Sequence, residues 1–116
     1  RPGIPGVSDN IRVRSIVGRF LEHTRIFRFA NGGEEQVWLS SADWMDRNFF
    51  RRIELCFPVR DPKLARRIVR EGLKPYLDDN TRSWEMQPDG AFLKKKRGRG
   101  KKRCAQTELL ASLAAG

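Results

Sequence analysis

The sequence has 116 residues, with 24 Lys and Arg against 14 Asp and Glu, which gives a formal net charge of +10 with the single His neutral. This length fits one domain rather than two. A hydrophobic fraction of 39% with three Trp and seven Phe supports a modest core, which argues against a wholly disordered chain.

Composition also bears on the compartment. No apolar run approaches the ~20 residues of a membrane-spanning helix, and no charged-then-apolar leader opens the chain. Cys56 and Cys104 are too few and too far apart for a disulfide framework or a zinc site. We therefore expect a cytoplasmic protein without a transmembrane segment, with peripheral membrane association left open. The opening on Arg1 without an initiator Met leads us to expect a piece of a longer protein.

The first third of the chain predicts strands. Residues 1–6 contain two Pro and two Gly and are typical of a loop. Alternating β-branched residues predict a strand over 11–17, although the apolar residues at 16, 17, 20 and 21 also suit a helix face. Residues 25–29 and 36–40 predict a hairpin, because Asn31-Gly32-Gly33 between them tolerates positive φ.

The next elements are a strand and a helix. Residues 52–59 alternate with period two and predict a strand whose apolar face is Ile53, Leu55, Phe57 and Val59. Pro58 cannot donate to a ladder, so this strand is expected to end there or to lie at an edge. Asp61-Pro62 predicts a helix start, and Gly72 and Pro75 predict its end.

The last third of the chain predicts turns over 78–81 and 88–90, a short strand at Trp84 and Met86, and a final helix around residues 107–113. Together these elements indicate an α/β (α+β) fold. Large aromatic residues usually belong to a core, so we expect Trp38, Trp44 and Trp84 to pack inside rather than to stack on a nucleobase.

The charge is concentrated in one stretch. Eight of the ten residues from Lys94 to Arg103 are basic, and Gly98 and Gly100 are the other two. The rest of the chain, with 16 basic and 14 acidic residues, is close to neutral. A run of like charges broken by glycines predicts a flexible segment. It is equally compatible with a solvated connector and with an arm that binds a polyanion, since no aromatic residue is interleaved to stack on bases.

His23 is the only histidine and the side chain best suited to proton transfer near neutral pH. The predicted hairpin brings its two ends together, so His23 and the Ser41/Asp43 pair are expected to face one pocket. Arg25, two residues further along the strand, is expected on the same side, where its guanidinium can hold phosphate oxygens. Arg47, Arg51 and Arg52 follow closely and form either a solvated cluster or the lining of an anion channel.

This order of residues resembles the half-site of the phospholipase-D superfamily, H-x-K, Asp, then G-S-x-N. Arg25 stands for the lysine, Ser40 for the glycine and Asp43 for the asparagine, while Ser41 matches the serine and Ala30 stands near the place of the aspartate. These departures argue against an ordinary phospholipase or nuclease.

They match one branch, the last domain of bacterial polyphosphate kinases of the first type. The resemblance rests on five stretches that look like that family: residues 8–11, 15–17, 19–23, 40–45 and 47–48.

The resemblance implies a single phospholipase-D-like domain with a mixed β-sheet and flanking helices. Its core would span 1–92, a basic flexible segment 93–104, and a terminal helix 105–116. It also implies reversible phosphoryl transfer from ATP to polyphosphate with Mg²⁺, in a large homo-oligomer. In that family a histidine of the preceding domain is phosphorylated, and the histidine matching His23 assists it. Mg²⁺ and most of the ATP contacts would lie upstream of Arg1, so the isolated chain is expected to be inactive.

Within this resemblance, His23 is the catalytic residue, and Arg25, Ser41 and Asp43 bind phosphate or orient His23. Arg47, Arg51 and Arg52 are candidates for a polyphosphate channel, and the chain itself would hold no metal. Two other functions remain open: a polyanion or nucleic-acid binding module that uses the basic stretch, and a single-motif nuclease completed by homodimerisation.

Overall fold

The computed structural model describes all 116 residues, which group into two compact units. We call Leu21–Lys74 the central unit, and Arg1–Phe20 with Pro75–Gly116 the terminal unit. Each contains one three-stranded antiparallel sheet. The strands are, in spatial order, β1 (Arg14–Ile16), β5 (Ser83–Met86) and β6 (Phe92–Lys94) in the terminal unit, and β2 (Arg25–Phe29), β3 (Gln36–Ser40) and β4 (Cys56–Pro58) in the central unit.

The α+β class is confirmed, and the strands form two antiparallel sheets where one mixed sheet was expected. Tight turns account for two of the four antiparallel pairings, β2 with β3 and β5 with β6, because a short connection between neighbouring strands forces antiparallel pairing. β2 and β3 are joined through Asn31, Gly32 and Gly33, all at positive φ. β5 and β6 are joined through the predicted turn at 88–90, where Gly90 has a φ of 93°.

The boundaries of β2 and β3 coincide with the sequence prediction, whereas β1 and β4 are shorter than predicted. β4 begins late because the Leu55 N–H donates to the Ser41 hydroxyl, at 3.0 Å, rather than to a ladder carbonyl. It ends at Pro58 and pairs only with β3, so the predicted edge position is confirmed.

The helices are α1 (Asp46–Arg51), α2 (Pro62–Ile68), α3 (Lys74–Asp78) and α4 (Ala105–Ala114). Asp61 caps α2 as predicted, since its Oδ1 accepts from the backbone N–H groups of Lys63 and Leu64 at 2.7 and 3.1 Å. The predicted helix end at Gly72 and Pro75 is wrong. A π-helical turn over Val69–Leu73 joins α2 to α3, and the Lys74 N–H donates to the Val69 carbonyl five residues back. This wider turn accommodates Pro75, which has no N–H to donate.

The core of the central unit lies on the face of the sheet that includes Ile26 and Val37. Val37 on the middle strand is only 2% exposed. Gly72 lets the π-helical turn approach β2 closely, because a Cβ built at Gly72 would overlap Cδ1 of Ile26. Arg25 neighbours Ile26 in β2, so its side chain extends from the opposite face of the sheet.

The terminal unit is organised around Asp79, which is fully buried. Its Oδ1 accepts from the N–H groups of Thr81 and Arg82 at 3.0 and 2.7 Å, and its Oδ2 accepts from the Ala105 N–H at 2.8 Å. One carboxylate therefore fastens the start of α4 to the turn that precedes β5.

Candidate functional site

The hairpin register determines where the site lies. Arg25 at the start of β2 is paired with Ser40 at the end of β3. The chain just before β2 and the chain just after β3 therefore leave the sheet at the same end. His23 lies in the first of these segments, and Ser41 and Asp43 lie in the second. That their side chains face one pocket stays a prediction.

Arg25 is held by groups from both segments. Its Nη1 donates to the carbonyl oxygen of His23 at 2.8 Å, and its Nη2 lies 3.3 Å from Oδ2 of Asp43. A guanidinium has five N–H donors in a fixed plane, so these two contacts set its orientation and leave further donors available. Arg25 is thus a half-buried cation in a defined position beside His23.

Asp43 is ionised throughout the neutral range. The Trp44 N–H donates to its Oδ1 at 2.9 Å, and this hydrogen bond, followed by the nearby charges of Arg25 and Arg47, lowers the pKa of the carboxyl group. An ionised carboxylate repels phosphate oxygens. The geometry therefore suits Asp43 to holding Arg25 in place better than to contacting a phosphate directly.

His23 is exposed, and the contact that fixes its segment is made by its backbone carbonyl. Its imidazole is therefore accessible to a reactant from outside the central unit. An exposed histidine next to a fixed cation has the arrangement that proton transfer or hydrogen bonding to a charged oxygen requires.

Ser41 faces the segment that leads into β4. Its hydroxyl donates to Oε2 of Glu54 and accepts from the Leu55 N–H, and its own N–H donates to the Leu55 carbonyl at 2.9 Å. These bonds link the end of β3 to the segment before β4. The structure thus joins Arg25 and Asp43 to the His23 backbone, and gives Ser41 bonding partners on the other side of β3.

The arginine cluster lies on α1 and directly after it. Arg47 in α1 is close enough to Asp43 to lower its pKa, Arg51 is exposed at the end of α1, and Arg52 follows the helix. Arg52 lines an open groove of about 390 Å³ that also includes Trp44, Asn48 and Phe49. A polyphosphate channel lined by all three arginines stays a prediction.

The groove contains features that the sequence did not reveal. Trp44 was expected in the core, but it is 79% exposed and makes an edge-to-face pair with Phe49, with ring centroids 6.3 Å apart. Trp38 and Trp84 are half-buried. Asn48 is buried, and its Nδ2 has no hydrogen-bond partner. No periodic signal distinguishes an exposed Trp from a buried one, so this surface could not be predicted from the sequence.

Apolar side chains are also exposed close to the groove. Ile53 is 100% exposed and Phe50 is 83% exposed, and Leu55 and Phe57, on the apolar face of the predicted strand, are exposed as well. This apolar face is therefore not covered within the chain. Contiguous exposed apolar surface is typical of an interface with another protein surface.

The chain has no cluster of three His, Cys, Asp or Glu side chains arranged to hold a metal ion. Mg²⁺ prefers carboxylate oxygens, and Asp43 already uses both of its oxygens for Trp44 and Arg25. The residues of this site therefore do not fit a Mg²⁺ centre of their own. None of the helices combines the length and the apolar character needed to cross a membrane.

Comparison with known proteins points to one family. Residues 1–106 match the family described as polyphosphate kinase C-terminal domain 2. A polyphosphate kinase from Pseudomonas putida is 64% identical over 94 residues, which are 81% of this chain and 13% of that protein. One from Paraburkholderia phytofirmans is 57% identical over 110 residues, 95% of this chain and 16% of that protein.

The fold of the chain is also similar to that of a solved structure. The crystal structure of polyphosphate kinase from Porphyromonas gingivalis matches with a TM-score of 0.83 and 39% sequence identity, over 97% of this chain. The match covers 17% of that crystallised chain. The sequence thus spans less than a fifth of the length of each of these relatives.

Proposed function

Because the chain belongs to the polyphosphate kinase C-terminal domain family, we propose that it supplies part of the active site for reversible transfer of the terminal phosphate of ATP to inorganic polyphosphate. In this reaction the bond between the β- and γ-phosphates of ATP breaks, a bond to a terminal oxygen of polyphosphate forms, and ADP leaves. The observation that carries the proposal is the exposed His23 beside an Arg25 that Asp43 holds in position.

The roles of the residues follow from their contacts. His23 donates a hydrogen bond to the transferring phosphoryl group, or exchanges a proton with the group that accepts or releases it. Arg25 uses its remaining N–H donors to offset the negative charge that accumulates on the phosphoryl oxygens. Asp43 orients Arg25, and Ser41 orients the segment that carries Asp43 by binding the chain before β4. Arg52 is the member of the arginine cluster placed to meet polyphosphate in the groove.

We assign the remaining half of the site to parts of the enzyme outside this chain. The chain spans only 13–17% of the relatives' length, and apolar side chains next to the groove are exposed. Contacts to Mg²⁺ and most contacts to ATP would come from those other parts, since this site has no carboxylate cluster. We propose that the assembled enzyme is a cytoplasmic homo-oligomer. The matched relatives are named polyphosphate kinases, and nothing favours the nuclease or the binding module as the main function.

Substitution of His23 in the complete enzyme tests the proposal. His23→Ala removes the imidazole and is expected to lower the rate of ATP-dependent polyphosphate synthesis by at least 10²-fold. His23→Gln keeps a hydrogen-bond donor but cannot transfer a proton, so recovery in this variant would favour hydrogen bonding over proton transfer. Unchanged circular dichroism and thermal unfolding serve as the folding control. Turnover close to that of the wild type in both variants would overturn the proposal.

The half-site assignment has a separate test. The 116-residue chain, incubated with ATP, Mg²⁺ and a polyphosphate primer, is expected to make no polymer. Robust polymer synthesis by the chain alone would contradict the half-site assignment while leaving the role of His23 intact.

A further inference from the structure

We call residues 94–103 the basic loop. Its first end is fixed. Lys94 is the last residue of β6 and is paired with Trp84 in β5. The next residue continues this attachment, because the Lys95 N–H donates to the Ser83 carbonyl at 2.9 Å. The loop therefore leaves the sheet of the terminal unit from a defined position.

The second end is fixed to the same part of the unit. The Asn80 side chain donates to the Lys101 carbonyl at 2.9 Å and accepts from the Arg103 N–H at 2.8 Å. The Thr81 hydroxyl donates to the Arg103 carbonyl at 3.0 Å, and Asp79 holds the start of α4 directly afterwards. Because both ends are attached within residues 79–84, the basic stretch is a closed loop rather than a free arm.

The two ends of the loop differ in charge from its middle. Arg103 is neutralised at the base, where its Nε lies 2.7 Å from Oε1 of Glu108 and its Nη2 lies 3.7 Å from Asp78. The charge of Lys101 also acts on Glu108, whose pKa is lowered chiefly by Arg103. Arg103 is the only cation of the loop with an ion pair. We call the six exposed cations without one the outer cations: Lys94, Lys96, Arg97, Arg99, Lys101 and Lys102. Lys95 is also without an ion pair but is half-buried.

The positive charge of the loop thus falls into two groups: Arg103, which is paired and helps to hold the loop, and the outer cations, which have no ion pair and can bind a ligand. Glu108 and Asp78 pair with Arg103 at the base of the loop, where they help to fix it, and the outer cations are left to repel one another. Gly98 and Gly100 have open space around them, so the backbone between the cations can adapt to a ligand. Uncompensated cations on an anchored loop attract a polyanion and release its counterions on binding.

We propose that the basic loop binds inorganic polyphosphate, as a contact for the polymer in addition to the His23 site; this rests on the proposed function. The loop contains no aromatic residue, so nucleic-acid bases have nothing in it on which to stack. A chain of phosphates without bases needs only cations and a flexible backbone, and the loop offers both. Closure at both ends reduces the conformational entropy that binding must remove.

The test measures binding of long-chain inorganic polyphosphate to the complete enzyme without nucleotide, over a series of salt concentrations. The loop variant carries Lys96→Gln, Arg97→Gln, Arg99→Gln and Lys102→Gln. Its matched control removes four exposed cations elsewhere, through Arg12→Gln, Arg60→Gln, Lys63→Gln and Arg66→Gln. The slope of log Kobs against log salt is expected to become shallower by about 3 in the loop variant and to change little in the control. The expected loss of affinity in the loop variant is at least 10-fold at low salt.

The other outcomes overturn the proposal in distinct ways. Equal losses in the loop variant and in its control would show a general effect of net charge, and no loss in either would exclude the loop. Loop-dependent binding of single-stranded DNA that is tighter than that of polyphosphate of equal charge would make the partner a nucleic acid.

The His23 proposal fails or survives separately, because binding is measured without turnover. His23→Ala is expected to abolish synthesis and to retain the full salt dependence of binding. If synthesis persists in His23→Ala while the loop variant loses binding, the proposed function fails and the loop assignment stands. If the loop variant binds normally while His23→Ala is inactive, the loop assignment fails and the proposed function stands.

Discussion

Arg25 in the central unit and the outer cations of the basic loop are all positively charged, but neighbouring groups restrain them to different extents. Arg25 is held by a carboxylate and by a backbone carbonyl, and it lies at one end of a hairpin of defined register. The outer cations have no such partners, although the ends of their loop are fixed. A fixed cation can stabilise charge at one point in a reaction, whereas a set of cations without such partners can only raise the local concentration of an anion. We therefore expect Arg25 to contribute to the rate of the reaction, and the outer cations to contribute to binding of the anion.

The largest expected effect is on turnover. Arg25→Ala in the complete enzyme removes a positioned donor and is expected to lower kcat/KM by about 10²- to 10³-fold. Arg25→Lys keeps the charge but not the planar set of donors, so it should recover only part of this loss. Arg28→Ala is the matched control, because Arg28 is an exposed arginine of the same strand that is paired with Glu35. Steady-state synthesis rates check this, and equal losses in Arg25→Ala and Arg28→Ala would show that the loss does not depend on the position of Arg25 beside the His23 segment.

The second effect concerns the stability of the terminal unit. Asp79→Ala leaves the buried N–H of Ala105 and two further donors without an acceptor, and it is expected to lower the free energy of unfolding by about 3 kcal/mol. Asp79→Asn retains one acceptor oxygen and should cause a smaller loss. Asp89→Ala is the control, since Asp89 is exposed and accepts only from the Ala91 N–H. Urea unfolding measures all three, and an Asp79→Ala variant as stable as Asp89→Ala would contradict the anchoring role.

Gly72 tests how the strand that carries Arg25 is supported. Gly72→Ala introduces a Cβ that overlaps Ile26, and the resulting overpacking is expected to cost about 1–2 kcal/mol despite the better helix propensity of Ala. Ile26→Val removes the overlapping Cδ1, so it should recover most of that loss in the double variant. Gly98 has open space around it, so Gly98→Ala serves as the control. Additive losses in the double variant, measured by thermal unfolding, would show that the two residues do not share the contact.

The sequence predicts the structure correctly where the controlling interactions are local. The bounds of β2 and β3 were predicted because strand alternation and the Asn31-Gly32-Gly33 turn lie next to each other in the chain. The start of α2 was predicted because Asp61 caps groups only two and three residues away. The approach of Asp43 to Arg25 followed from the same hairpin, since two strands of equal length bring their outer ends together.

The failures have non-local causes. Asp79 is buried because it binds Ala105, which lies 26 residues further along, and no sequence pattern marks that pair. Ile53 follows a period-two pattern that predicts a strand, yet it lies before the start of β4 and is fully exposed, in a chain that spans less than a fifth of the length of its relatives. Pro75 and Gly72 usually end helices, but here a π-helical turn accommodates both.

The smallest expected effect is a titration that measures how firmly Arg25 is held. The pKa of Asp43 lies below its ordinary value because of the Trp44 N–H first, and then because of Arg25 and Arg47. Arg25→Gln should raise this pKa without restoring the ordinary value, since the Trp44 hydrogen bond remains. Arg28→Gln should leave it unchanged. Carbon-detected NMR of the Asp43 carboxyl group gives the midpoints directly.

The direction of the pH dependence follows from the lowered pKa of Asp43. A carboxyl group with a lower pKa in the folded state than in the unfolded state stabilises the fold above the unfolded-state pKa, and this contribution is lost as the pH falls through the folded-state value. Asp43→Asn should therefore weaken the acid-side decline in stability and leave the dependence near neutral pH unchanged. If Arg25→Gln does not move the Asp43 midpoint, the pair exerts no mutual restraint. Arg25 would then resemble the outer cations of the basic loop, and its assignment as a positioned catalytic donor would have to rest on turnover alone.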